Sequence, residues 1–202
     1  MKKTTFLPLF TLIVLSLCSP SMLWADDTPG QLVINTINQG MQILKDPELK
    51  NPDQLEIRRQ KLWEILEPIF SFEEVSMLAL GRHWLDLNPN QQKEFTDSFT
   101  NILKDIYLKK SDDYQDGEII YVREIVKGTR SKVQTNFVKG GKKIVVDFSM
   151  KKIDNVWKIY DITIETVSVL TNYRTQFNSI LAKSSFDELM AKLRKKEIEV
   201  SN

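Results

Sequence analysis

One cysteine, Cys18, stands in a chain of 202 residues, and it lies in an apolar run near the N-terminus. Disulfides and cysteine-ligated metals are therefore excluded from the rest of the chain, whose stability must come from its core. Histidine is equally scarce: His83 is the only one. No nucleophile elbow, phosphate-binding loop, dinucleotide fingerprint or zinc spacing occurs. No segment beyond the N-terminal run approaches the roughly 18 consecutive apolar residues of a transmembrane helix. Neither an internal repeat nor a low-complexity stretch interrupts the chain. An excess of one charge is missing too, with 28 Lys and Arg against 27 Asp and Glu, which argues against nucleic acid and against strong adhesion to anionic membranes.

The N-terminus carries an export signal. Lys2 and Lys3 precede an apolar run from Phe6 to Leu17 that is too short to span a bilayer. Ala25 then stands before Asp26 and Asp27, so cleavage is expected after Ala25. Leu17 occupies the position before Cys18 where an acylation box needs a small residue, so lipidation is not expected. Cleavage leaves residues 26–202 with no thiol and a net charge near −1, since Lys2 and Lys3 leave with the signal peptide. That length suits one domain with a sizeable core.

Helix starts are legible. Thr28-Pro29 with Gln31, Asp53 with Glu56, Ser71 with Glu74, Asn88-Pro89 with Gln91, and Ser185 with Glu188 each read as capping boxes. Val33, Ile37, Met41 and Leu44 share one face of the first helix. Leu55, Leu62, Leu66 and Ile69 do so on the second, closed by Pro68, and the third ends near Gly81. The longest helix carries Phe95, Phe99, Ile102, Leu103, Ile106 and Tyr107, with Lys93, Asp97 and Lys104 expected on its solvated face. Helical period returns in Tyr173, Phe177, Ile180 and Leu181, then in Phe186, Leu189, Met190 and Leu193.

Between Glu118 and Glu165 the period is two. Gly128, Gly140-Gly141 and Asp154-Asn155 divide this stretch into four strands of an antiparallel meander. Two-residue turns pair Phe137 with Ile144, Val133 with Phe148, and Met150 with Ile159. One face then holds Val133, Thr135, Phe137, Ile144, Val146, Phe148, Met150, Trp157 and Ile159, with Ile120 and Val122 added from the first strand. The other holds Lys132, Gln134, Asn136, Asp147 and Ser149, with Tyr160, Ile162 and Ile164 as an apolar margin. The pattern predicts an α+β fold: a curved four-stranded antiparallel sheet packed with helices 28–110 and 168–198. Its apolar face could be a closed core or an incompletely closed pocket, and patterning does not separate the two.

The stretch from Phe70 to Tyr114, with Ala79-Leu80-Gly81-Arg82-His83-Trp84 and Leu87-Asn88-Pro89-Asn90-Gln91-Gln92, resembles the MlaC, or toluene-tolerance auxiliary, family. A second block carries the same likeness. It runs from Trp157-Lys158-Ile159-Tyr160-Asp161-Ile162 through Glu165-Thr166-Val167-Ser168 to Asn172-Tyr173-Arg174, Phe177 and Phe186-Asp187-Glu188-Leu189. Thr166 departs from the pattern, which usually has glycine there.

The resemblance implies a periplasmic carrier of diacyl phospholipid with an NTF2-like cone and an apolar pocket between sheet and helices. Its partners would be an outer-membrane MlaA-like lipoprotein complex and an inner-membrane MCE-domain protein of an ABC transporter. It would be a monomer, without cofactor or metal, and would release cargo through hinge motion of the helices relative to the sheet. Maintenance of outer-membrane lipid asymmetry is the implied role. Hopanoids or other hydrophobic lipids are the alternative cargo. Residues expected to line the pocket are Val133, Val146, Phe148, Met150, Trp157 and Ile159 on the sheet, and Leu78, Phe99, Leu103, Tyr173 and Phe177 on the helices. An NTF2-like enzyme using Asp161 and His83 is the other reading. The derived register sets Asp161 on the apolar face beside Phe148, where Arg82 or Arg174 is the expected partner in a structural ion pair.

Overall fold

Thr28 opens the first helix, α1 (Pro29–Lys45), with the reciprocal bonds its sequence foreshadows. Its hydroxyl accepts the Gln31 N–H at 3.2 Å, and the Gln31 side chain accepts the Thr28 N–H at 3.1 Å. The computed structural model describes residues 28–196 and Ile198. The expected signal peptide, with Cys18 and the expected cleavage site at Ala25, lies outside the described residues.

Four further helices start with a side-chain or proline signal. α3 (Phe72–Leu80) is capped by Ser71, α4 (Pro89–Lys110) by a full Asn88/Gln91 box, α5 (Val169–Leu181) by Ser168, and α6 (Phe186–Arg194) by Ser185. The expected Asp53/Glu56 box does not form. Asn51 accepts the Asp53 N–H at 3.1 Å instead, making a short 3-10 turn over Pro52–Gln54 before α2 (Leu55–Leu66) begins. Pro52 explains the displacement, because Asn51-Pro52 offers the cap-then-proline arrangement before Asp53 can act.

The sheet is a five-stranded antiparallel meander, one strand more than expected: β1 (Glu118–Lys127), β2 (Arg130–Lys139), β3 (Lys142–Ile153), β4 (Val156–Ile164) and β5 (Val167–Ser168). The α+β class is as read from the sequence. β5 follows a turn in which Glu165 takes the left-handed conformation at φ 55. Thr166 needs no glycine-like backbone there, so its departure from the family pattern is accommodated. The predicted turns hold, with positive φ at Gly140, Gly141, Asp154 and Asn155.

Two β-bulges change the faces. In β1 the pairing slips at Val122, so that Ile119 and Tyr121 oppose Phe137 and Thr135. Ile120 and Val122, expected on the apolar face, are instead 44% and 49% exposed. In β4 Met150 pairs with Ile159 as predicted, but Ser149 then meets Asp161 and Phe148 meets Ile162. Tyr160 is the extra residue. Everything beyond it on β4 is therefore turned over relative to a regular hairpin, which moves Ile162 and Ile164 onto the Phe148 face and Asp161 off it.

α1 lies on the apolar face. The Gly30 N–H donates to Glu124 at 2.6 Å, and Val33, Leu32 and Ile37 pack with Val133, Phe148, Met150, Trp157 and Ile159. The same helix continues into a cluster of Leu44, Leu62, Trp63 and Leu108. The largest core joins α3 to α6 around edge-on ring pairs: Phe99 with Tyr173 at 4.9 Å, Phe99 with Phe177 at 5.1 Å, and Phe95 with Phe177 at 5.5 Å.

One close approach is testable. A Cβ on Gly117 would lie 1.9 Å from a ring carbon of Phe137, which is buried at 6% exposure. Gly117→Ala should cost about 1–3 kcal/mol through overpacking, read as a lower urea midpoint, and a midpoint equal to wild type would contradict this packing.

Candidate functional site

Between Ile159 and Thr163 the outer edge of β4 is left without a neighbouring strand. Phe70 bridges to Ile159 on one side, and β5 pairs with Thr163 and Ile164 on the other. Tyr160, Asp161 and Ile162, the residues in between, face a cavity of about 170 Å³. Its remaining walls come from α2 (Trp63, Leu66), the segment into α3 (Phe70, Phe72, Val75), α4 (Phe99, Leu103, Lys104, Tyr107, Leu108) and α5 (Val169, Leu170, Tyr173). The wall is almost wholly apolar and rich in aromatic rings. Stacked pairs at 5.4 Å (Trp63 and Phe72) and 5.5 Å (Phe70 and Phe72) build one side of it.

The polar groups in this wall have specific roles. Asp161 does not pair with an arginine. Its carboxylate accepts the Ser168 hydroxyl at 2.7 Å and the Leu170 N–H at 3.0 Å, while the Ser168 hydroxyl accepts the Thr171 N–H at 2.9 Å. The acid thus caps the start of α5 and ties that helix to β4. The bulge at Tyr160 is the reason, because it points Asp161 away from Phe148. Arg174 packs against Gly81. His83 lies on the 3-10 turn Gly81–Asp86 and is not part of the cavity wall, so the Asp161/His83 pair of the enzyme reading is not assembled there.

Phe99, Leu103 and Tyr173 of the expected lining residues meet at the cavity. Phe177 packs behind them in the helical core. Val133, Val146, Phe148, Met150, Trp157 and Ile159 form the separate cluster under α1, which touches the cavity through Phe70 and Ile162. Leu78 belongs to neither. The sequence reading missed the aromatic residues around the break after α2 and the whole contribution of β4 beyond its bulge. Trp63, Phe70 and Phe72 flank the interruption at Pro68, a concentration of rings about a helix break that could have signalled a wall. Lys104 was expected in solvent but is half-buried in the lining. It stands one turn before the buried Leu108, on the side of α4 that meets α2.

Tyr173 is 1% exposed, and its hydroxyl has no hydrogen-bond partner among the described residues. Burial pushes its phenol up to about 12. Burial also raises Tyr107, with nearby Tyr173, Tyr114 and Asp161 adding to the effect. The folded chain thus keeps a Tyr173 proton that the unfolded chain releases near pH 10.0. Unfolding free energy should fall as pH rises from 10 towards 12, and Tyr173→Phe should flatten part of that fall. Below pH 10, Tyr173→Phe should also stabilise the empty protein by about 1 kcal/mol, since it removes an unsatisfied buried hydroxyl. Urea unfolding across the pH range checks both, and a destabilised Phe variant would show that the hydroxyl is satisfied.

A mixed fold whose sheet edge and helices enclose an apolar, ring-lined cavity is the architecture of a protein that houses a hydrophobic ligand. The chain belongs to the MlaC family: the family model for MlaC protein matches residues 34–195. Among solved structures it is similar to the phospholipid-binding protein from Ralstonia solanacearum, solved in complex with a phospholipid. That likeness has a TM-score of 0.74 at 22% identity and covers 84% of this chain and 96% of that one. A de novo designed protein with a curved β-sheet aligns with 31% of this chain and 60% of its own at a TM-score of 0.27 and 14% identity, too little to bear on the fold. No curated protein sequence matches the chain.

Proposed function

We propose that the protein is a periplasmic carrier of diacyl phospholipid, exported by residues 1–25 and working as the single domain 26–202. The apolar cavity at the β4 edge carries this reading, in a chain of the MlaC family whose structural relative holds a phospholipid. Each methylene withdrawn from water contributes about 0.8 kcal/mol, so acyl chains bind without any catalytic group. In this role the protein accepts lipid from an MlaA-like outer-membrane complex and delivers it to an MCE-domain protein of an inner-membrane ABC transporter, or the reverse. Among the described residues no helix is long and apolar enough to cross a membrane.

The cavity of about 170 Å³ is smaller than the roughly 300–1,000 Å³ of drug-sized ligand sites. Two acyl chains therefore require the walls to part, as a carrier that loads and unloads must allow. Catalysis through Asp161 has little support, because both carboxylate oxygens are engaged at the start of α5.

Leu170→Trp should fill the cavity and abolish lipid copurifying from the periplasm, measured by mass spectrometry of the extract. Val146→Trp, placed in the α1 cluster, should leave that lipid bound. Diacyl phospholipid in the wild-type extract is the expected cargo. A polycyclic lipid, or full occupancy in the Leu170→Trp variant with folding intact, would overturn the assignment.

A further inference from the structure

The apolar cavity has a charged neighbour. A second cleft of about 120 Å³ lies between α2 and α4 and shares Lys104 and Leu108 with the cavity wall. Arg59, Lys104 and Lys109 bring three cations to it, against Glu56 and Asp105. Asp105 is engaged outside the trio, whereas Glu56 shares its charge with one member of it. Asp105 pairs with Lys196, and Glu56, whose side chain is 83% exposed, pairs with Arg59 at 2.7 Å. An exposed pair of that kind holds its partners weakly. Lys104 has no carboxylate partner among the described residues, and its ammonium sits 5.0 Å from the centre of the Trp63 ring. The Arg59 Nε is buried without a hydrogen-bond partner among the described residues. A cationic cleft thus adjoins the apolar wall, and Lys104 lines both.

We infer that Arg59, Lys104 and Lys109 form an anion site that takes the phosphate of the cargo's headgroup while its chains enter the cavity beside Trp63. This rests on the carrier reading. It adds that the headgroup is held and not merely left in solvent. Three cations against two carboxylates leave the lining a net charge of +1, which matches the single negative charge of a phosphodiester, and the guanidinium and ammonium groups supply its hydrogen-bond donors. Lys104 marks the boundary, since it borders both spaces.

The test loads delipidated mature protein from phosphatidylglycerol vesicles carrying diacylglycerol with the same acyl chains, and quantifies bound lipid by mass spectrometry. Diacylglycerol lacks the phosphate. Relative to vesicle content, wild type should take phosphatidylglycerol over diacylglycerol by about tenfold, the size of one charge-assisted hydrogen bond. Arg59→Gln/Lys104→Gln should bring that ratio towards one, and Lys104→Met, which keeps an apolar stem, should lower it even if the double variant misfolds. A ratio near one in wild type, or an undiminished ratio in a folded variant, overturns the headgroup site and leaves the carrier reading standing. Wild type that loads neither lipid overturns the carrier reading itself. In a parallel arm, inorganic phosphate alone should not raise the melting temperature. A Lys104-dependent rise equal to that given by phosphatidylglycerol would assign the cluster to free phosphate and overturn the headgroup role.

Discussion

The site depends on one extra residue in β4. Without the bulge at Tyr160, Asp161 would sit against Phe148 on the sheet's apolar face, a buried carboxylate needing a charged partner. With it, the same carboxylate reaches Ser168 and Leu170, fixes the start of α5 and hands the apolar face to Ile162 and Ile164. The bulge therefore solves a charge-burial problem and positions a helix in one step. Pairing with β3 resumes beyond the bulge, and the opposite edge of β4, between the Phe70 bridge and β5, is the part that becomes a wall of the cavity.

Much of the framework was legible. Caps at Thr28 and Asn88 placed two helices, the turn at Gly140-Gly141 set the β2–β3 register to the residue, and the turn at Asp154-Asn155 set β3 against β4 as far as Met150 and Ile159. The misassigned sheet faces share a physical cause. Bulges leave no mark in a period-two pattern, so Ile120 and Val122 on β1 and Asp161 to Ile164 on β4 were assigned to the wrong faces. Each slip of one residue turns over every side chain beyond it. The apolar sheet face was correctly read as apolar, yet α1 covers most of it, and periodicity carries no information about which helix lands on which face. Phe99, Leu103 and Tyr173 reached the cavity from the pattern alone because α4 and α5 carry unbroken stripes.

The cavity lies where three apolar clusters meet, with Trp63, Leu66 and Leu108 bringing the α1–α2 cluster to its wall. On one side α1 closes the sheet face around Val133 and Met150, both fully buried, and on the other the rings of Phe95, Phe99, Tyr173 and Phe177 lock α4 to α5. Phe70 and Ile162 are where the two meet.

The aromatic stripe of α4 also has a temporal meaning. Its partners Tyr173, Phe177, Leu189 and Met190 lie some 70 to 100 residues further along the chain, and the ties from Glu94 to Arg194 and from Asp105 to Lys196 span 100 and 91 positions. Contacts of such sequence separation carry a loop-closure cost and form slowly. The hairpins of the sheet need only their own turns. The walls that α5 gives the cavity exist only once that helix has docked on α4, and a chain shortened before α5 would leave the longest helix with its rings uncovered and nothing to enclose.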